Sequence, residues 1–186
     1  MKRAAKLWLS RDQADSILQV AKSHSIRDWL VLELARHGLR DGEILGRGRL
    51  PGLLKQDLRP NGIWLVGKGY SQDPPELYEL PSWLVAELEH FRDGEGRSRE
   101  PRLFHVSVRR IEQRVKDYAR MAGVQDWRLV KPHRLRAFFA TDLDDRGLPA
   151  FTIRNMMRHR NISTTNTYVG RGTSEKRTRI MESLSA

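Results

Sequence analysis

Apolar residues recur at helical spacing over most of this chain and cluster differently in a shorter middle stretch. Residues 1–9 carry no such pattern and read as a mobile lead-in. Ala14, Ile17, Leu18 and Ala21 share one helical face, and Ser10 with Gln13 has the spacing of a capping box. A helix is therefore expected from there to about Ser23. Ser25 caps a second helix. Trp29, Leu30, Leu32, Leu34 and Ala35 make it apolar over much of its circumference, which predicts a buried helix ending near Gly38. A short helix starting near Leu39 would place Arg40 and Glu43 on one face. The middle stretch then changes character. A loop containing a short strand at Leu53–Leu58 leads to a Pro60-Asn61-Gly62 turn. Ile63–Val66 and Pro75–Leu80 read as two further strands, with Gly67-Lys68-Gly69 in the hairpin between them.

Helical spacing resumes at Pro81, with Leu84, Val85, Leu88 and Phe91 inward. After a polar loop at 93–99, Ser107 caps a helix with Val108, Ile111, Val115, Tyr118, Ala119 and Met121 on its apolar face. Its other face carries Arg109, Arg110, Arg114, Lys116 and Arg120. Pro132 suits the first position of the next helix, which runs to about Arg146 with Leu135, Phe138, Phe139 and Leu143 inward. After the turn at 146–149, Ala150–Met157 follows with Phe151, Ile153, Met156 and Met157 as its apolar set. Thr173–Leu184 is a last amphipathic stretch. The expected fold is mainly α with a small three-stranded antiparallel sheet, an α+β chain.

At 186 residues, one domain with a real core is expected. The formal net charge of +11 changes the picture more, because it favours an anionic partner, nucleic acid first. A merely solvated basic surface, as in an RNA-associated scaffold, is the plainer alternative. Cysteine is absent, which removes disulfides, thiolate metal sites and a cysteine nucleophile, and is compatible with a reducing cytoplasm. The basic start lacks the apolar run of a signal peptide, and nothing approaches a membrane span.

Candidate chemistry concentrates between Pro132 and Tyr168. His133 and Arg136, three apart, point the same way from a helix. Arg158, His159 and Arg160 put three potential cations in a row, and Tyr168 follows a Ser163-Thr164-Thr165 cluster. This set suits phosphoryl transfer. A tyrosine oxygen can form a covalent intermediate, a guanidinium fork matches two phosphate oxygens, and histidine can donate a hydrogen bond or move a proton. Each residue alone has a plainer reading. Arg40–Glu43 is a surface pair worth a few tenths of a kcal/mol, about 0.2–0.5. Lys68 is an exposed turn lysine, and Tyr168 an ordinary aromatic.

Together these residues resemble the catalytic region of tyrosine recombinases, the phage-type integrases and Xer-like enzymes, whose site is shared by type IB topoisomerases. His133-Arg134-Leu135-Arg136 is similar to the family's H-x-x-R box, and Phe139-Ala140-Thr141 to the run that follows it. His159 and Tyr168 match its second histidine and nucleophilic tyrosine, Gly38-Leu39-Arg40-Asp41-Gly42-Glu43 its first-arginine box, and Gly67-Lys68-Gly69 its hairpin lysine. The chain departs from the pattern at Arg158, where glycine is usual, at Ala137 and at His37. The resemblance covers residues about 10–170 and implies a catalytic domain at 10–172 without a separate N-terminal clamp, with 173–186 as a terminal helix packing in cis or on a neighbouring protomer. It implies Tyr168 as nucleophile, with Arg40, Arg136 and His159 on the phosphate. Lys68 would be general acid, His133 would assist, and Glu43 would support Arg40. Lys131, Arg134, Arg158, Arg160, Arg109 and Arg110 are expected DNA contacts. Neither metal nor other cofactor is implied. The partners would be double-stranded DNA and further copies of the chain, from dimer to tetramer. DNA relaxation and a non-catalytic DNA-binding role are the alternatives.

Overall fold

The computed structural model describes residues 8–48, 50–65, 75–94 and 101–159. The order of elements is α1 (Arg11–His24), α2 (Ile26–Arg36), α3 (Asp41–Leu45), β1 (Leu58–Arg59), β2 (Gly62–Leu65), β3 (Glu76–Glu79), α4 (Ser82–Gly94), α5 (Val108–Met121), α6 (Pro132–Asp145) and α7 (Ala150–Met156). The α+β expectation holds: the helices are joined by a three-stranded antiparallel sheet of order β1-β2-β3, with α4 packed on β1. Among the described residues, no helix is long and apolar enough to cross a membrane.

Helix α2 is the centre of the packing, with α1, α4 and α6 against it. Every residue from Asp28 to Ala35 is buried, as its all-round apolarity demands. The buried Asp28 is kept ionised by its neighbours. Burial alone would raise its carboxyl pKa, but hydrogen bonds from the Tyr118 hydroxyl (2.8 Å), Arg27 and the Arg114 Nε (3.1 Å) lower it overall. Arg114 is thus turned from the basic face of α5 toward Asp28 and remains half-buried. The Ser10–Gln13 capping box opens α1, and Ser107 caps α5.

A smaller apolar cluster of Ala140, Leu143, Ile153 and Met157 joins α7 to α6 apart from the main core. Three details differ from the expected pattern. The strand expected at Leu53–Leu58 is displaced. The Asp57 carboxylate takes the Leu54 N–H at 2.9 Å and winds Lys55–Asp57 into a 3₁₀ turn, so β1 begins only at Leu58. Met121 lies exposed at the end of α5, and Phe151 and Met156 are exposed on α7, leaving Ile153 and Met157 to anchor it. Lys68, Arg160, Tyr168, most of the lead-in and the 173–186 helix lie outside the described residues.

Candidate active site

Four helices end in the same way. The residue after the cap donates to the carbonyl three back, and the next residue donates to the carbonyl five back, the Schellman arrangement. Gly38 and Leu39 close α2 like this, onto the Ala35 and Leu34 carbonyls. Arg158 and His159 close α7, onto the Asn155 and Arg154 carbonyls at 2.8 and 3.0 Å. These two helix ends deliver Arg40 and His159 to the same place. Gly38 has φ +96°, and an added Cβ would lie within 3 Å of the Tyr78 hydroxyl and the Phe139 ring, so only glycine fits there without movement.

Arg40 caps the short helix α3. Its backbone N–H donates to Glu43 Oε2 at 2.8 Å, and its Nη1 donates to Glu43 Oε1 at 2.6 Å. Glu43 is buried, so this is no surface pair. A second guanidinium, that of Arg158, reaches the same Oε1 at 3.2 Å. Arg136 is buried on α6, although charged residues are rarely so.

The end of α7 ties these side chains together. A helix leaves its last carbonyls without intrahelical partners. Here three successive carbonyls, at and just beyond the end of α7, are taken by side chains from three different parts of the chain. The Tyr78 hydroxyl of β3 shares its proton between the His37 carbonyl at 2.6 Å and the Met156 carbonyl at 3.2 Å. Arg136 donates to the Met157 carbonyl. Arg40 Nη2 donates to the Arg158 carbonyl at 2.9 Å. The two arginines from opposite ends of the chain therefore hold adjacent peptides just before His159.

Burial raises the Tyr78 pKa to about 12, which keeps its proton on and the hydroxyl a donor. His133 stands at the open side of the cluster. Burial of its inner edge lowers its pKa, and the charges of Arg136, Arg134 and Arg40 push the same way. The ring still meets solvent, and the downward shift favours the neutral imidazole near neutral pH.

The structure thus brings Arg40, Glu43, His133, Arg136, Arg158 and His159 together. Lys131, Arg109 and Arg110 are exposed, and Arg134 is half-buried. Arg158 turns inward, its side chain 12 % exposed and paired with Glu43 and Glu76. Glu76 and Tyr78 escaped the sequence reading. Their signal was faint: two positions on one face of a strand, opposite a helix end that lacks its glycine.

The fold is that of tyrosine recombinase catalytic domains, and the chain belongs to the tyrosine recombinase, or phage integrase, family. The phage integrase family profile matches residues 98–174. Tyrosine recombinase XerA of Thermococcus kodakarensis is 28 % identical over 169 residues, covering 86 % of this chain and 56 % of the relative. Tyrosine recombinase XerC of Staphylococcus aureus is 31 % identical over 157 residues, covering 78 % and 49 %. The chain thus spans about half the length of these curated relatives. Among solved structures, that of XerA recombinase superposes with a TM-score of 0.77 at 23 % identity, covering 98 % of this chain and 65 % of that one. That of XerH site-specific recombinase, bound to its difH substrate before cleavage, gives 0.72 at 18 %, covering 92 % and 52 %.

Proposed function

We propose that this chain is the catalytic domain of a site-specific DNA recombinase or integrase. The observation that carries the reading is the convergence of Arg40 and Arg136 on adjacent peptides beside His159, with His133 at the open side. Two guanidiniums held by backbone carbonyls are preorganised to meet the charge that develops on a pentacoordinate phosphorus.

In this mechanism the Tyr168 oxygen attacks a DNA phosphodiester and loses its proton, to His133 or to solvent. The new O–P bond forms as the bond to the 5′-oxygen breaks. That oxygen takes a proton from Lys68 and leaves as a 5′-hydroxyl, with the DNA 3′-phosphate now on tyrosine. Arg40, Arg136 and His159 carry the charge of the phosphorane. Attack by a partner strand's 5′-hydroxyl reverses the steps and joins the new strand. The phosphodiester energy stays in the link, so nucleotide hydrolysis has no part in it. Glu43 orients Arg40.

Residues 10–172 form the working unit, and 173–186 pack in cis or on a neighbour. Lys131, Arg134, Arg109, Arg110 and Arg160 contact the duplex backbone. Copies assemble on DNA as dimers to tetramers, in the cytoplasm and at the nucleoid of a prokaryotic source. XerH, one of the structural neighbours, is a site-specific recombinase held on its substrate before cleavage, which supports the duplex as partner.

The test is covalent capture. Nicked duplexes covering the native locus are incubated with the protein and resolved under denaturing conditions. A retarded species is expected with the parent and not with Tyr168→Phe. Tight binding without a retarded species favours the non-catalytic reading. Relaxation of plasmid by isolated monomers would favour the topoisomerase one.

A further inference from the structure

Among the described residues, four helices close with the same pair of backbone hydrogen bonds, and the residue at the left-handed position differs in only one of them. Gly38, Gly123 and Gly147 occupy it at φ +96°, +73° and +83°. The fourth is Arg158 at φ +51°, the one non-glycine residue with positive φ among those described. A side chain there works against the backbone. What this side chain does in return is visible. Its Nη1 donates to Glu43 on α3, and its Nε side forms an ion pair with the Glu76 carboxylate on β3. Tyr78, two residues on from Glu76 and so on the same face of the strand, bonds the Met156 carbonyl at the same helix end.

We propose that Arg158, Glu76 and Tyr78 form a latch that fastens strand β3 to the end of α7, and that Arg158 is a positioning residue for the active site. The inference rests on the recombinase reading above. Strand β3 pairs with β2, and Lys68 lies in the connection between them. Holding β3 against the His159 turn fixes the base of the hairpin relative to Arg40 and His159. Arg158 also shares Glu43 Oε1 with Arg40, so a displaced Arg158 changes how Arg40 is held. The Glu76 side chain is 55 % exposed, so its pair adds little stability and its value is geometric. Only a planar fork spans two carboxylates from one fixed backbone position, so lysine is a poor substitute.

The test uses Arg158→Gly, Arg158→Lys, Glu76→Gln and Tyr78→Phe in the full chain, with DNA affinity and the single-turnover rate of adduct formation at saturating nicked duplex measured separately. Glycine suits the backbone, so Arg158→Gly is expected to fold and to bind DNA within about threefold of the parent. Its adduct rate is expected to fall about tenfold or more, as misplaced catalytic groups do. Glu76→Gln and Tyr78→Phe should lower the rate in the same way, and Arg158→Lys should not restore it. Arg158→Gly combined with Glu76→Gln should be no slower than Arg158→Gly alone. An independent arm follows the Arg158 Nε–H resonance by NMR in the DNA-free protein, which should be displaced by the Glu76 carboxylate and should lose that displacement in Glu76→Gln. A parental rate in Arg158→Gly, or an Nε–H signal indifferent to Glu76→Gln, overturns the latch. A parent that forms no adduct overturns the recombinase reading instead, and the NMR arm still decides whether the latch exists.

Discussion

Glu43 accepts three charge-assisted hydrogen bonds in a buried position, from Arg40 twice and from Arg158 once. Removing one member of a buried ion network strands the others, so Glu43→Ala is expected to cost about 3–5 kcal/mol in denaturant unfolding. Gly38→Ala forces a Cβ into the left-handed region and against Phe139 and Tyr78. A loss of about 2 kcal/mol, also read by denaturant unfolding, is expected from the backbone alone. His133 gives a pH dependence whose sign follows from burial and its arginine neighbours. Its folded pKa lies below the ordinary 6.5, so the unfolded chain binds the extra proton more readily. The contribution of His133 to stability is therefore full above about 6.5 and is lost as pH falls through that value toward the folded pKa. His133→Gln should flatten this acid limb in unfolding curves recorded from pH 7.5 to about 5. These residues were unequally legible in the sequence. Arg40, His133, Arg136 and His159 stand in recognisable boxes. The inward turn of Arg158 was not legible, because its meaning depends on Glu76 and Glu43, 82 and 115 residues away in the chain.

Local patterns of the elements carried well where capping and periodicity agreed, as at Ser10–Gln13 and along α2. They failed where a side chain competed with the backbone, as Asp57 does at the start of β1, and where a helix had too few neighbours to bury its apolar set, as at Phe151 and Met156. That shortage has a consequence. Helix α7 is held mainly by Ile153 and Met157 against Ala140 and Leu143, yet it carries Arg158 and His159. Small satellite clusters open before main cores do. Ile153→Ala should cost about 2–5 kcal/mol if the cavity does not collapse. Amide exchange should rise in α7 before it rises in α2.

For the molecule as a whole, the charge of +11 bears on the DNA partner proposed above. Affinity for duplex DNA should fall linearly on a log–log plot against salt, and replacing Arg109 or Arg110 by alanine should reduce the slope by about 1 for each phosphate left without its arginine. Phosphate contacts of this kind position the protein without reading sequence, so the weakening should be similar on all duplexes. The proposed chemistry goes beyond DNA binding: Tyr168, outside the described residues, would join DNA at a site built by Arg40, Arg136, His133 and His159. The most direct measurement is to trap the protein on nicked duplex, digest both components and map the adduct by tandem mass spectrometry. A nucleotide linked through its 3′-phosphate to the peptide bearing Tyr168 is expected. A link to any other residue, a 5′-phosphate link, or no adduct from a fully DNA-bound protein would contradict it.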